Sequence, residues 1–135
     1  MITTRQFALG TLAASVMLAG QASAAEITDN EIRIGYLADM SGVYRDPIGP
    51  LGLDAIQMAV DEMGGNIQGA EIVLFSADDR NSADVGSSVV REWIDERNVD
   101  MVTGLVASSV TLAAVRLLEE ENRLGLVNGA VSSGV

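Results

Sequence analysis

Hydrophobic and polar positions along the chain fall into short blocks whose period changes from two to about 3.6 and back. Residues 31–37 (EIRIGYL) are β-rich, and 38–42 (ADMSG) end that run with turn chemistry. Residues 44–50 read as a loop, with proline suited to the first turn of a helix. Leu53, Ile56, Val60 and Met63 then recur at helical spacing, with Met58 and Met63 expected in the core, until Gly64-Gly65 stops the helix. Residues 66–70 turn the chain into a second strand at 71–75, closed by Asp78-Asp79. Ser82 or Asn81 can cap the next helix, whose inner face should hold Val85, Val89, Trp93 and Ile94, and Asn98 closes it. A third strand at 101–103 passes through 104–107 into Ser108-Ser109 and a helix carrying Leu112, Val115 and Leu118. A fourth strand at 124–127 ends in Asn128-Gly129-Ala130-Val131-Ser132-Ser133.

Alternating β and α units with short connections predict an α/β fold, a doubly wound parallel sheet with helices on both faces. No internal repeat or interdomain linker interrupts it. In such a sheet the ends of the third and fourth strands lie side by side, each followed by small and hydroxylated residues. Ligands of open α/β sheets bind outside the carboxyl ends of the strands. Ser108 and Ser109 stand where a strand gives way to a helix, and there free N–H groups and the helix dipole favour an anion. Plain helix capping explains the same serines. Ser132 and Ser133 can be ordinary loop residues, and Ala130 can act only through its main chain. Asp78-Asp79 lacks the further ligands that a metal or acid–base site requires, so strand-end and cap duties are expected, with Arg80 as a local ion partner. Asp39 lies at the cleft edge of the first strand and is a candidate to touch ligand.

The first residues add a compartment. Arg5 is followed by an apolar run at 7–19, too short to span a bilayer, and by Ala22-Ser23-Ala24, so residues 1–24 read as a signal peptide cleaved before Ala25. Residues 25–135 are then an exported, periplasmic domain. A single arginine favours the general secretory route over the twin-arginine one, and Gln21 stands where a lipoprotein would need cysteine. The chain has no cysteine, no histidine and no lysine, with eight arginines against nineteen acids. Such acidity argues against nucleic acid or anionic membrane as partners. Without His or Cys the usual nucleophile–base pairs and zinc sites are excluded within this stretch, and no G-x-G-x-x-G or Walker sequence occurs. Residues 129–134 (GAVSSG) miss the G-x-S-x-G elbow by one position. No enzyme activity, metal or cofactor is expected.

Ile32-Arg33-Ile34-Gly35, Met40-Ser41-Gly42, Gly64-Gly65 with Gly69, Asp78-Asp79 and the run from Gly104 to Ser109 follow one another in an order that resembles type I periplasmic binding proteins of the branched-chain amino-acid (leucine/isoleucine/valine-binding) family. The resemblance spans residues 31–133. It implies a two-lobed, hinged protein that closes on a small carboxylate-bearing solute and serves an ABC importer, with residues 25–135 as the incomplete N-terminal lobe. It also implies a monomer that delivers an amino acid or a related, including aromatic, acid to inner-membrane permease subunits. In that family the position matching Ser108 meets the ligand carboxylate. Thr111 falls nearby on the same helix, Ala130 matches a main-chain contact, Ser132 a hydroxyl contact and Tyr44 an aromatic of the pocket wall. Asp39, the bulky Tyr44-Arg45-Asp46 and Asn128-Gly129 depart from the family pattern, so the rim differs from that of an aliphatic amino-acid binder. The alternatives are the extracellular part of a sensor, which would need a membrane span and signalling domain, and an exported enzyme drawing catalytic residues from elsewhere.

Overall fold

The computed structural model describes residues 28–131, so the expected signal peptide, Ser132 and Ser133 lie outside the described residues. Five strands, β1 (Glu31–Ala38), β2 (Asn66–Ile67), β3 (Ala70–Asp78), β4 (Met101–Gly104) and β5 (Leu124–Val127), form one sheet in the order β2-β3-β1-β4-β5. Between them run α1 (Arg45–Ile48), α2 (Pro50–Glu62), α3 (Ala83–Arg97) and α4 (Ser108–Glu120). β1 is central. It pairs in parallel with β3 from Glu31↔Glu71 to Ala38↔Asp78 and with β4 from Ile34↔Met101 to Leu37↔Gly104, and β4 pairs in parallel with β5. The carboxyl ends of β1, β3, β4 and β5 therefore share one edge.

Two short elements were not expected. The stretch 66–70 is a tight hairpin rather than a plain turn. Gln68 and Gly69 take φ of 53° and 90°, which folds β2 back antiparallel onto β3. The loop before α2 contains a single helical turn, α1, and Pro50 then starts α2 as expected.

The crossovers sort the helices onto two faces. α3 and α4 cover one face, where Leu37, Val90, Trp93, Val99, Val102, Val110, Ala114 and Leu118 form the core. α2 covers part of the other, with Val60 buried and Gly52 set against the Tyr36 hydroxyl. On α3 the expected Trp93 and Ile94 are buried and Val89 packs against the core, but Gly86 and Val90 face inward as well. On α4 the expected Leu118 is buried together with Val110, Thr111 and Ala114 rather than with Leu112 and Val115. At Gly86 the reason is close helix–helix approach: a Cβ there would stand 2.6 Å from Val110 Cγ1. A reading that counts only apolar side chains cannot assign a glycine to a buried face.

Met58 and Met63, expected in the core, are exposed. Met58 is two residues, about 200°, around the helix from Ile56, and Met63 lies at the C-cap of α2. On β5, Leu124 and Leu126 are 62% and 53% exposed, since α2 does not reach that end of the sheet. Among the described residues no helix is long and apolar enough to cross a membrane.

Gly35 of β1 lies directly beneath the ring of Trp93, where a Cβ would be forced into the indole. Gly35→Ala is expected to destabilise the fold by about 1–3 kcal/mol through overpacking, measured by urea denaturation. An unchanged midpoint would show that Trp93 is not seated on β1.

Candidate functional site

Each parallel strand leaves the shared edge with main-chain N–H groups that need acceptors. At the end of β1, Asp39 supplies them. Its Oδ1 accepts from the N–H of Ser41 (3.3 Å) and Gly42 (2.6 Å), and its Oδ2 from the N–H of Tyr44 (3.1 Å). The side chain is 1% exposed, so this candidate for ligand contact has an internal role instead. At the end of β3, Asp78 accepts from the N–H of Met40 and of Arg80, each at 2.9 Å, and from the Ser41 hydroxyl at 2.7 Å. Asp79 accepts from the N–H of Asn81 at 2.7 Å, and Ser82 caps α3 by accepting from Val85 N–H. These are the strand-end and cap duties expected of the pair. Arg80 serves Asp78 through its N–H as well as its charge.

Carboxylate oxygens of Asp39, Asp78 and Asp79 approach within 4.8 Å of one another. Every one of these side chains is already engaged by main-chain N–H groups, so the cluster reads as a device for ordering loops. Burial pushes the Asp79 carboxyl up; its bond from Asn81 opposes this, and the charges of Asp39 and Asp78 add to it. Asp78 is also raised by burial, but the Ser41 hydroxyl and the Met40 and Arg80 N–H groups outweigh that and hold it below the ordinary carboxylate range. Tyr36, whose hydroxyl donates to the Ile48 carbonyl, is raised by burial first and by the Asp79 charge second.

The ends of β4 and β5 are joined by Asn128. Its Oδ1 accepts from Thr103 Oγ1 at 2.8 Å and from Gly104 N–H at 3.1 Å. Gly104 has φ of 101°, and a Cβ there would run into the Leu37 carbonyl. Leu105 follows with φ of 25° and is wholly buried, so packing holds a sparsely populated backbone conformation at the turn into α4. The sequence marks Asn128 only as a departure at the rim, not as the residue that ties β4 to β5, and it does not mark Leu105. An asparagine after a strand was a visible signal for the first, whereas nothing in local pattern marks the second.

α4 begins differently from α3. Its N-cap is Ala107, with no side-chain cap, and Ser108 is its first helical residue. The first N–H in the helical ladder is that of Thr111, donated to the Ala107 carbonyl at 2.8 Å. The N–H groups of residues 108–110 precede it at the positive end of the helix dipole. Ser108 is half-buried and Ser109 exposed, so both stand at the surface of this edge. Thr111 is 0% exposed, and its hydroxyl donates to the Ala107 carbonyl at 3.0 Å, which places it beneath the turn rather than on it. Ala130 is half-buried in the loop after β5, and Gly129 lies against Val106, 3.6 Å from the position a Cβ would take. Tyr44, 37% exposed, follows β1 as the N-cap residue of α1. Ser108, Ser109, Ala130 and Tyr44 thus come from the carboxyl ends of three neighbouring strands. A shallow cavity of about 380 Å³ lies beside Arg45, Asp46, Pro50 and Leu51 at the α1–α2 junction.

The model of a family described as periplasmic binding protein matches residues 31–134. Among solved structures, a periplasmic binding protein from Burkholderia mallei is 36% identical with a TM-score of 0.74, over 77% of this chain and 28% of that one. A solute binding protein of an ABC transporter from R. palustris, in complex with benzoate, is 25% identical with a TM-score of 0.67, over 74% and 28%. A branched-chain amino acid transporter substrate binding protein from Streptococcus pneumoniae, in complex with isoleucine, is 26% identical with a TM-score of 0.70, over 77% and 30%. The chain spans less than a third of the length of these solved relatives. No curated protein matches it.

The raised Asp79 carboxyl carries a pH signature. Its charged form costs folding free energy, a cost absent below the unfolded carboxylate pKa of about 4 and growing as pH rises through the folded value. Asp79→Asn keeps an acceptor for Asn81 N–H and removes the charge. It is therefore expected to raise the melting temperature at pH 7, with the two curves converging toward pH 4. A lower melting temperature at pH 7 would contradict the assignment.

Proposed function

From a chain that belongs to the type I periplasmic binding protein family, we propose the substrate-binding component of an ABC importer, its described part contributing one jaw of the solute cleft. The observation that carries this reading is the uncapped start of α4 at the carboxyl edge. Three main-chain N–H groups and the Ser108 hydroxyl stand there without a side-chain cap, beside the loop that bears Ala130. That set suits a carboxylate: it offers neutral donors and a partial positive charge, with no fixed cation to slow release. An acceptor on the neighbouring loop, the Ala130 carbonyl, suits an ammonium, and Tyr44 supplies an aromatic wall. Ser109 lies at the outer rim of the same turn and Thr111 supports it from below, while Ser132, outside the described residues, is assigned a hydroxyl contact on the family resemblance alone.

The solute class follows from those groups and from what related proteins hold. Relatives of this chain have been solved with isoleucine and with benzoate, and both ligands carry a carboxylate. The cargo is an amino acid or a small aromatic acid, bound noncovalently in the periplasm and passed to permease subunits after a second lobe closes over it. Residues 1–24 serve as the cleaved export signal, and 25–135 as the N-terminal lobe. No chemical step is assigned to the protein.

Thermal-shift titration of the intact protein against aliphatic amino acids and aromatic acids tests the class. One group is expected to shift the transition with saturation, and no shift with any carboxylate would overturn the reading. Ser108→Ala is expected to weaken the selected solute on the order of 10- to 100-fold, about 1.5–3 kcal/mol. Unchanged affinity by calorimetry would remove Ser108 from the site.

A further inference from the structure

The segment between β1 and α2 is held at its start, along its side and at its far end. Asp39 captures the N–H groups of Ser41, Gly42 and Tyr44 from below. Asp78 captures Met40 N–H and the Ser41 hydroxyl from the side. The Tyr36 hydroxyl takes the Ile48 carbonyl at the far end, over a Gly52 whose missing side chain makes room for it. Gly42 is required for the first of these anchors, since a Cβ would stand 2.6 Å from Asp39 Oδ2. The two oxygens of Asp39 divide the work. Oδ1 shapes the turn at Ser41 and Gly42, while Oδ2 holds only Tyr44.

We propose that Asp39, though sealed from solvent, is the positioning residue of the solute site: through its Oδ2 it fixes the main chain of Tyr44 and so presents that ring, pre-organised, to the cargo. This rests on the reading of the carboxyl edge as the cleft. An aromatic wall that is already ordered does not have to be ordered again on binding, so affinity is gained without any contact between Asp39 and the solute. Asp39→Asn separates the two halves of the device. The amide oxygen still accepts from Ser41 and Gly42, but the NH₂ group then faces Tyr44 N–H, donor against donor. The same change removes a negative charge beside Asp78 and Asp79, which favours folding of the variant.

The test uses the intact protein with isoleucine and benzoate as probes, in a cycle of Asp39→Asn, Tyr44→Ala and the double variant. Asp39→Asn is expected to weaken the probe that binds about 10-fold and to speed hydrogen exchange at the Tyr44 amide relative to those of Ser41 and Gly42. The double variant is expected to bind no more weakly than Tyr44→Ala alone, a non-additivity that a general loss of stability would not produce. Should Asp39→Asn fail to fold, Gly42→Ala, which displaces the same carboxylate, is expected to give the same loss and the same non-additivity. Additive losses, or unchanged affinity in Asp39→Asn while Ser108→Ala weakens binding, would overturn the role of Asp39 alone. An intact protein that binds neither probe would overturn the solute reading and this proposal with it.

Discussion

Main-chain N–H groups leaving the carboxyl edge of a parallel sheet must find acceptors, and how this chain meets that demand decides where a ligand can sit. At β1 and β3 the acceptors are internal: Asp39, Asp78 and Asp79 absorb the amides of residues 40–42, 44, 80 and 81. At β4 Asn128 accepts from Gly104 N–H across to the neighbouring loop, and at α3 Ser82 closes the helix. At the start of α4 no side chain takes that part. The edge is therefore held fixed by side-chain acceptors after β1, β3 and β4 and at the start of α3, while α4, like α1 and α2, starts there without a side-chain cap.

The rigidity has a packing cause. Gly86 brings α3 against α4, Gly35 admits the Trp93 ring onto β1, and Gly104 lets β4 end against the Leu37 carbonyl. Leu37, Val102 and Leu105 are wholly buried at that junction. The turn into α4 is thereby clamped from beneath, and the positive φ of Leu105 persists because its side chain has no other place to go. Small residues permit close approach and large ones fill what is left. At α4 the candidate site takes its geometry from that arrangement.

How much of this is legible in the sequence depends on the kind of force involved. Strand and helix positions, the Ser82 and Asn98 caps and the parallel order follow from periodicity and local backbone chemistry, which act within a few residues. The burial of Gly86 on α3 does not, because a glycine faces inward there for a steric reason that only the partner helix supplies. Asp39 illustrates the same limit at the site. Its position at a strand end suggested contact with ligand, yet three amides up to five residues ahead claim its carboxylate first. Thr111 sits one helical turn below the surface for the same sort of reason: a β-branched hydroxyl one turn into a helix is satisfied by the Ala107 carbonyl. Met58 looks like core by composition and is not, since helical phase sets its direction, and Met63 keeps the phase of the stripe but stands at the C-cap of α2.

The most direct measurement is a crystal structure of the intact protein grown with saturating isoleucine or benzoate, whichever shifts its melting transition. The account predicts a solute carboxylate within hydrogen-bonding distance of Ser108 Oγ and the N–H groups at the start of α4, with the Tyr44 ring against its apolar part and the Asp39 bonds unchanged. A solute seated elsewhere, with the start of α4 occupied only by solvent, would contradict it.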